Sequence, residues 1–158
     1  MMKPTRVRDL LALALLAAVI TWLLVRTLYG SLPAIPVYAG ASLYVAAVIE
    51  AILAFVIRSR VGKDEIGEGP GRIHPITVAR SVALAKASAL VGAASTGVWI
   101  GFLVYLLPER AQIRAAVEDT SGAVVGAVAG VALVAAALWL EYCCKAPEDP
   151  EDPGEPAA

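Results

Sequence analysis

Histidine and cysteine are scarce in this sequence, and their scarcity excludes common kinds of site. His74 is the single histidine, and the two cysteines, Cys143 and Cys144, are neighbours. Structural zinc sites draw about four ligands mainly from these two residue types, so no metal or cofactor site is expected. We interpret the adjacent cysteines as two reduced thiols at the membrane surface, with metal binding or acylation as the alternatives.

Charge is also low, and apolar residues take its place. Only 17% of the residues are charged, against about 25% in a soluble domain. Hydrophobic residues make up 59% of the chain, and the mean hydropathy is +0.73. A membrane-spanning helix needs about 20 such residues, and four runs meet this need at about 10–29, 37–57, 79–107 and 121–142. The sequence therefore predicts an all-α integral membrane four-helix bundle over residues 1–145, surrounded by the lipid bilayer.

Lysine and arginine lie mostly on one side of the predicted spans. Three precede the first span, five lie in or beside the loop between the second and third spans, and Lys145 follows the fourth. The opposite side has Arg110 and Arg114 in one loop, with Arg26 near the end of the first span. Because cytoplasmic loops carry the excess of these residues, both termini are expected in the cytoplasm, and the protein is expected to be a multi-pass protein of the cell membrane.

The segments between the spans also have recognisable signals. The prolines of "GSLPAIP" predict a tight turn after the first span. Pro75 suits the first turn of the third span, where His74 is interpreted as a cap or a headgroup contact rather than a catalytic base. Thr120 or Ser121 would cap the fourth span. Residues 146–158, which are acidic and rich in proline, are predicted to be a disordered tail.

Small residues predict how the helices pack. Membrane helices associate through close backbone approach and polar contacts, because lipid is as apolar as their side chains. In both the third and the fourth span, glycines recur at intervals of four residues. This spacing gives each of these two helices one face lined with glycine. These packing glycines are Gly97, Gly101, Gly122, Gly126 and Gly130.

Glu50 and Lys86 are ionisable residues that lie well inside the predicted spans, away from the span ends. At about 100° per residue, Glu50 shares a face with Ala47 and Ala54, and Lys86 shares one with Ala93 and Gly97. Both residues therefore point into the bundle. An unpaired charge at the bilayer centre costs at least about 3 kcal/mol, and pairing is the usual solution.

The depths of the two residues favour a pair. If Arg58 and Arg80 mark the cytoplasmic edge, Glu50 lies about 12 Å inside and Lys86 about 9 Å inside, at a rise of about 1.5 Å per residue. We predict an intramembrane pair of Glu50 and Lys86, with Arg80 as a shallower alternative partner. The competing interpretation is that Lys86 extends to the headgroups, which leaves Glu50 to meet water or keep its proton.

The stretch "HPITVARSVALAKASALVGAASTGVWIG" resembles an actinobacterial family of small membrane proteins that is catalogued as domain of unknown function 3180. The matching elements are Pro75, Arg80, the "ALAKAS" run around Lys86, and the small residues Gly92, Gly97 and Gly101. The N-terminal "MKPTRVRDLLALALLAAVITWLL" is similar to that family as well. The resemblance implies four membrane spans, and it implies no activity, ligand or catalytic residue.

The sequence favours a structural or accessory membrane protein that packs with itself or with a larger membrane-protein partner. The alternative is a small transporter or channel subunit that uses the interior charges of Glu50 and Lys86. An enzyme is not expected, because "VGKDEIGEGPGR" lacks the GK[ST] of a phosphate-binding loop and no nucleophile, base and orienting group can be assembled. Nucleic acid is not expected as a partner, since membrane topology explains the arginines.

Overall fold

The structure, a computed structural model, describes residues 5–61 and 74–145. This part of the chain contains four long helices and no β-strand, and a single 3₁₀ turn, Tyr29–Ser31, follows the first helix. All four helices are long and apolar enough to cross a membrane, which confirms the predicted all-α membrane-spanning fold. The predicted tail, 146–158, lies outside the described residues. The helices are α1 (Val7–Leu28), α2 (Ala41–Val61), α3 (Pro75–Glu109) and α4 (Arg114–Cys143).

The start of α3 agrees with the sequence prediction. Pro75 occupies the first turn, and the Nδ1 atom of His74 accepts a hydrogen bond from the backbone N–H of Ile76 at 3.3 Å. This bond satisfies one of the N–H groups that a helix start leaves without a partner. The interpretation of His74 as a cap is therefore confirmed.

The predicted cap of the fourth helix was wrong. α4 begins at Arg114, and neither Thr120 nor Ser121 lies at its start. Instead, the Thr120 hydroxyl donates to the carbonyl oxygen of Ala116, one turn earlier in the same helix. Inside a helix, serine and threonine can also bond to the carbonyl oxygen four residues earlier, so hydroxyl residues alone did not locate the helix start.

The helices pack in the order α1–α3–α4–α2. α3 and α4 form the largest interface, α1 packs against α3, and α2 packs against α4. Between α2 and α3 there is only a small contact, and within the described residues α1 and α2 do not approach each other. The bundle is therefore open, with α3 and α4 in the middle.

Contacts along the helices give their directions. Gly97 and Gly101 of α3 lie against successively later residues of α1, and Ala47 and Ala54 of α2 pack with successively later residues of α4. α1 is therefore parallel to α3, and α2 is parallel to α4. In addition, the backbone N–H of Thr5 donates to the Glu141 carboxyl group at 2.8 Å. Both ends of the described chain thus lie on the same side of the bundle.

Glycine permits close approach at the interfaces. A Cβ atom on Gly97 would overlap the carbonyl oxygen of Ala14, and one on Gly101 would overlap Ala18 and Thr21. The glycines of α4 meet other partners: Gly122 lies against Ile35 and Pro36 in the loop after α1, Gly126 against Trp99, and Gly130 against Thr96. In the absence of a hydrophobic force between helices in lipid, such contacts hold the bundle together through packing.

Candidate functional site

Within residues 5–61 and 74–145, three acidic side chains are buried in the apolar bundle. Glu50 is 2% exposed, and Asp119 and Glu141 are each 6% exposed. Ionisable residues inside membrane proteins are rare, because their desolvation is costly, and they commonly mark functional sites. These three carboxyl groups are therefore the candidate functional residues.

Glu50 lies on the face of α2 that the sequence predicted to be interior. Ala47 and Ala54, one turn away on either side, are buried with it, whereas Val48 and Ile52 are exposed. The Ser88 hydroxyl of α3 donates a hydrogen bond to the Glu50 carboxyl group. The second oxygen, Oε2, is buried and has no hydrogen-bond partner among the residues that the structure describes.

The position of Lys86 differs from that of Ser88. Two residues along an α-helix correspond to a rotation of about 200°. Lys86 is half-buried on the same side of α3 as Gly97, the side that packs against α1, whereas Ser88 is on the side that meets Glu50. Arg80 is exposed near the start of α3. The pairing of Glu50 with Lys86 or Arg80 stays a prediction.

Asp119 holds the loop between α1 and α2 against α4. Its Oδ1 atom accepts from the backbone N–H of Ile35 at 2.9 Å, and its Oδ2 atom accepts from the Tyr29 hydroxyl at 2.8 Å. The ring of Tyr29 also contacts that of Tyr105, with centroids 5.1 Å apart. Asp119 therefore closes the end of the bundle farthest from the termini.

Glu141 has the matching position at the other end of α4. Its carboxyl group accepts the N–H of Thr5, just before α1 begins. Beside it, Cys143 is buried and Cys144 is half-buried, and both thiols are free. Burial, followed by the charges of Cys143 and Glu141, raises the pKa of the Cys144 thiol from 9.0 to about 11. The neutral thiol is therefore the dominant form at physiological pH.

Sequence reasoning missed Asp119 and Glu141 as interior residues. The predicted fourth span begins at about residue 121 and leaves Asp119 outside it, whereas α4 begins at Arg114 and contains Asp119. The missed signal is helical spacing. Asp119 precedes Gly122 and Gly126 by three and seven residues, and Glu141 follows Gly130 by eleven. This spacing places all of them on one stripe of α4.

No group of three or more histidine, cysteine, aspartate or glutamate side chains that would hold a metal ion occurs in residues 5–61 and 74–145. The helices and the buried carboxyl groups define the class of protein as multi-pass membrane proteins with four spans. The chain matches the family described as "Protein of unknown function (DUF3180)" over residues 10–148, and it belongs to that family. No curated protein and no solved structure matches it.

Proposed function

We propose that the protein is a structural or accessory component of the cell membrane that acts by packing with a second copy or with a larger membrane protein. The observation that carries this proposal is the isolation of the buried polar groups. Glu50, Asp119 and Glu141 each bond to a neighbour at a separate point of the bundle. Selective pores are lined by hydrogen-bonding or charged groups. Between these points the α3–α4 interface consists mainly of alanine and glycine, and the buried Thr96 hydroxyl there bonds to Gly92 of its own helix.

The open packing order supplies surfaces for such a partner. α1 has backbone contacts with α3 and the adjoining 3₁₀ turn, and α2 packs mainly on α4. Leu15 of α1 is 70% exposed, and Phe55 of α2 is 68% exposed. These two outer faces are where another helix would pack without rearrangement of the bundle.

Site-directed crosslinking in the native membrane tests the proposal. Single cysteines at Leu15 and Phe55, in a chain whose native cysteines are replaced by alanine, would be treated with a membrane-permeable bismaleimide. We expect a discrete crosslinked species, either a dimer or a complex of defined mass. Cysteine at Ala89, which is 0% exposed, is the matched control and should give none. Monomer alone from both outward positions would contradict the proposal.

The second candidate, a small transporter or channel subunit, is favoured by the buried Oε2 atom of Glu50 that has no described hydrogen-bond partner. A carboxyl group of this kind can bind and release a proton or a cation inside the membrane. Purified protein in vesicles should then show a proton or substrate flux, and Glu50→Gln should abolish it. Glu118→Gln, which changes an exposed acid of α4, is the control and should leave the flux unchanged. Vesicles without any flux would exclude this candidate and leave the accessory role.

A further inference from the structure

A cavity of about 210 Å³ lies beneath the loop that joins α1 to α2, at the end of the bundle farthest from the termini. The loop forms its roof, and α3 and α4 form its floor. Unlike the groove between α1 and α4, which apolar side chains line throughout except for Thr96, this cavity contains a buried acid. Its walls include the aromatic rings of Tyr29, Trp99 and Phe102 together with Asp119.

The charge of Asp119 is the first argument about what the cavity would hold. Both oxygens accept hydrogen bonds, from the Tyr29 hydroxyl and from the Ile35 N–H. Both donors are neutral groups, and no lysine or arginine is among the residues that line the cavity. A buried charge is stabilised best by an opposite charge nearby, and a cationic ligand would supply it.

The aromatic walls are the second argument. Trp99 and Phe102 of α3 lie together, with ring centroids 5.8 Å apart and planes inclined by 37°, and Tyr29 lies beside the acid. Aromatic faces attract cations through the negative charge of the ring face, and such rings recognise quaternary ammonium groups. Apolar substituents on the cation would also contact Leu32 and the two prolines of the roof.

We propose that this cavity binds an organic ammonium group, such as the trimethylammonium of choline. A divalent metal ion fits less well, because calcium and magnesium take six or more oxygen ligands and Asp119 is the one carboxylate among the lining residues. The ammonium group would come from a free small molecule or from a lipid headgroup, and both present the same chemistry to the cavity.

Competition between two probes of similar shape tests the proposal on the unmodified protein. The protein, purified in a maltoside detergent, would be incubated with radiolabelled choline, followed by tetramethylammonium or by 3,3-dimethyl-1-butanol, the uncharged analogue of choline. We expect saturable choline binding that tetramethylammonium displaces and the uncharged analogue does not. Equal displacement by the uncharged analogue, or the absence of saturable binding, would overturn the proposal.

Two variants locate the binding. Asp119→Asn keeps an oxygen and the shape of the side chain but removes the charge, and it should weaken choline binding about tenfold or more. Glu118→Gln, at the exposed neighbouring acid, is the matched control and should bind as the unmodified protein does. Undiminished binding by folded Asp119→Asn would place the choline elsewhere. If Asp119→Asn does not fold, Trp99→Phe is the variant to test. It should weaken choline binding, because indole attracts cations more strongly than the other aromatic rings do. Unchanged choline binding by Trp99→Phe would overturn the site.

The same displacement assay identifies the source of the ammonium group. A short-chain phosphatidylcholine that displaces choline would identify a lipid headgroup, provided that the matching phosphatidylglycerol does not displace it. Displacement by tetramethylammonium alone would identify a free organic cation. Displacement by both lipids alike would show that the acyl chains compete rather than the headgroup, and would count against an ammonium site.

Discussion

Ser88 of α3 donates a hydrogen bond to Glu50 of α2 inside an otherwise apolar interface. It joins two helices that have little other contact with each other. The Oε2 atom of Glu50 has no hydrogen-bond partner within the described residues. Loss of the Ser88 hydroxyl would therefore remove the described hydrogen-bond donor of this buried carboxyl group.

Removal of the Ser88 hydroxyl should destabilise the protein. We expect Ser88→Ala to lower the free energy of unfolding by about 1–3 kcal/mol, because it leaves a buried acceptor without its donor. The double variant Ser88→Ala with Glu50→Leu should recover part of the loss, since no polar group is then stranded. Thermal unfolding in detergent measures both. Ser121→Ala, at an exposed serine that bonds within its own helix, should change stability by less than about 0.5 kcal/mol.

The sequence-based pair of Glu50 and Lys86 makes a separate prediction. Breaking a buried pair by removing one partner costs about 3–5 kcal/mol, so Lys86→Leu and Glu50→Leu should each destabilise the protein, and their combination should recover part of the loss. A double-mutant cycle in detergent measures the coupling. Effects that add within about 0.5 kcal/mol would mean that the two residues do not interact directly.

The contact of Gly97 with α1 should tolerate no larger residue. A Cβ atom there would overlap the carbonyl oxygen of Ala14, so Gly97→Ala should separate α1 from α3 and destabilise the protein by about 1–3 kcal/mol. Gly30→Ala is the matched control, because nothing lies within 4 Å of its added Cβ atom. In detergent, Gly97→Ala should lower the free energy of unfolding, and Gly30→Ala should leave it unchanged. Equal stabilities would show that the α1–α3 interface is looser than the structure has it.

Cys144 should react slowly with alkylating reagents near neutral pH. Its pKa is raised to about 11, and only the thiolate is nucleophilic, so the reaction rate should keep rising through pH 9 and 10. In Cys143→Ala protein, the rate of iodoacetamide labelling as a function of pH measures this. The same thiol in denatured protein should have its ordinary pKa of 9.0, and identical profiles in the two states would contradict the shift.

The orientation proposed from lysine and arginine is tested by reporter fusions. Because the N–H of Thr5 and the carboxyl group of Glu141 are bonded, Thr5 and the end of α4 must lie on the same side of the membrane. Fusions after Lys145 and within 58–72 should report the cytoplasm, and fusions within 109–119 should report the outside. An external signal from a fusion at Gly69 would reverse the proposed orientation.

The long-range pattern of the fold could be predicted from the sequence because it follows from hydropathy. Four apolar runs predict four spans, and the alternation of Ala47, Glu50 and Ala54 with bulkier residues predicted which face of α2 is buried. Helix neighbours could not be predicted in the same way. α3 carries small residues on several faces, so the sequence did not indicate which helix Gly97 or Ser88 would contact. In the folded structure, Gly97 contacts α1 and Ser88 contacts α2.

The cavity beneath the first loop was beyond sequence reasoning for a different reason. Tyr29, Trp99 and Asp119 are distant in the chain, and no spacing relates them. Their meeting depends on the early start of α4 and on the position of the loop between α1 and α2, which no hydropathy run specifies.

The packing order α1–α3–α4–α2 has a consequence for biosynthesis. The chain emerges from the ribosome with α1 first and α2 second, yet these two helices are not neighbours in the folded protein. α1 and α2 each enter the bilayer before their packing partners, α3 and α4, have been synthesised. Membrane insertion and assembly are therefore separate events for this protein. A nascent chain released after α2 would contain two inserted helices without an interface between them, and such a product is a natural substrate for membrane quality control.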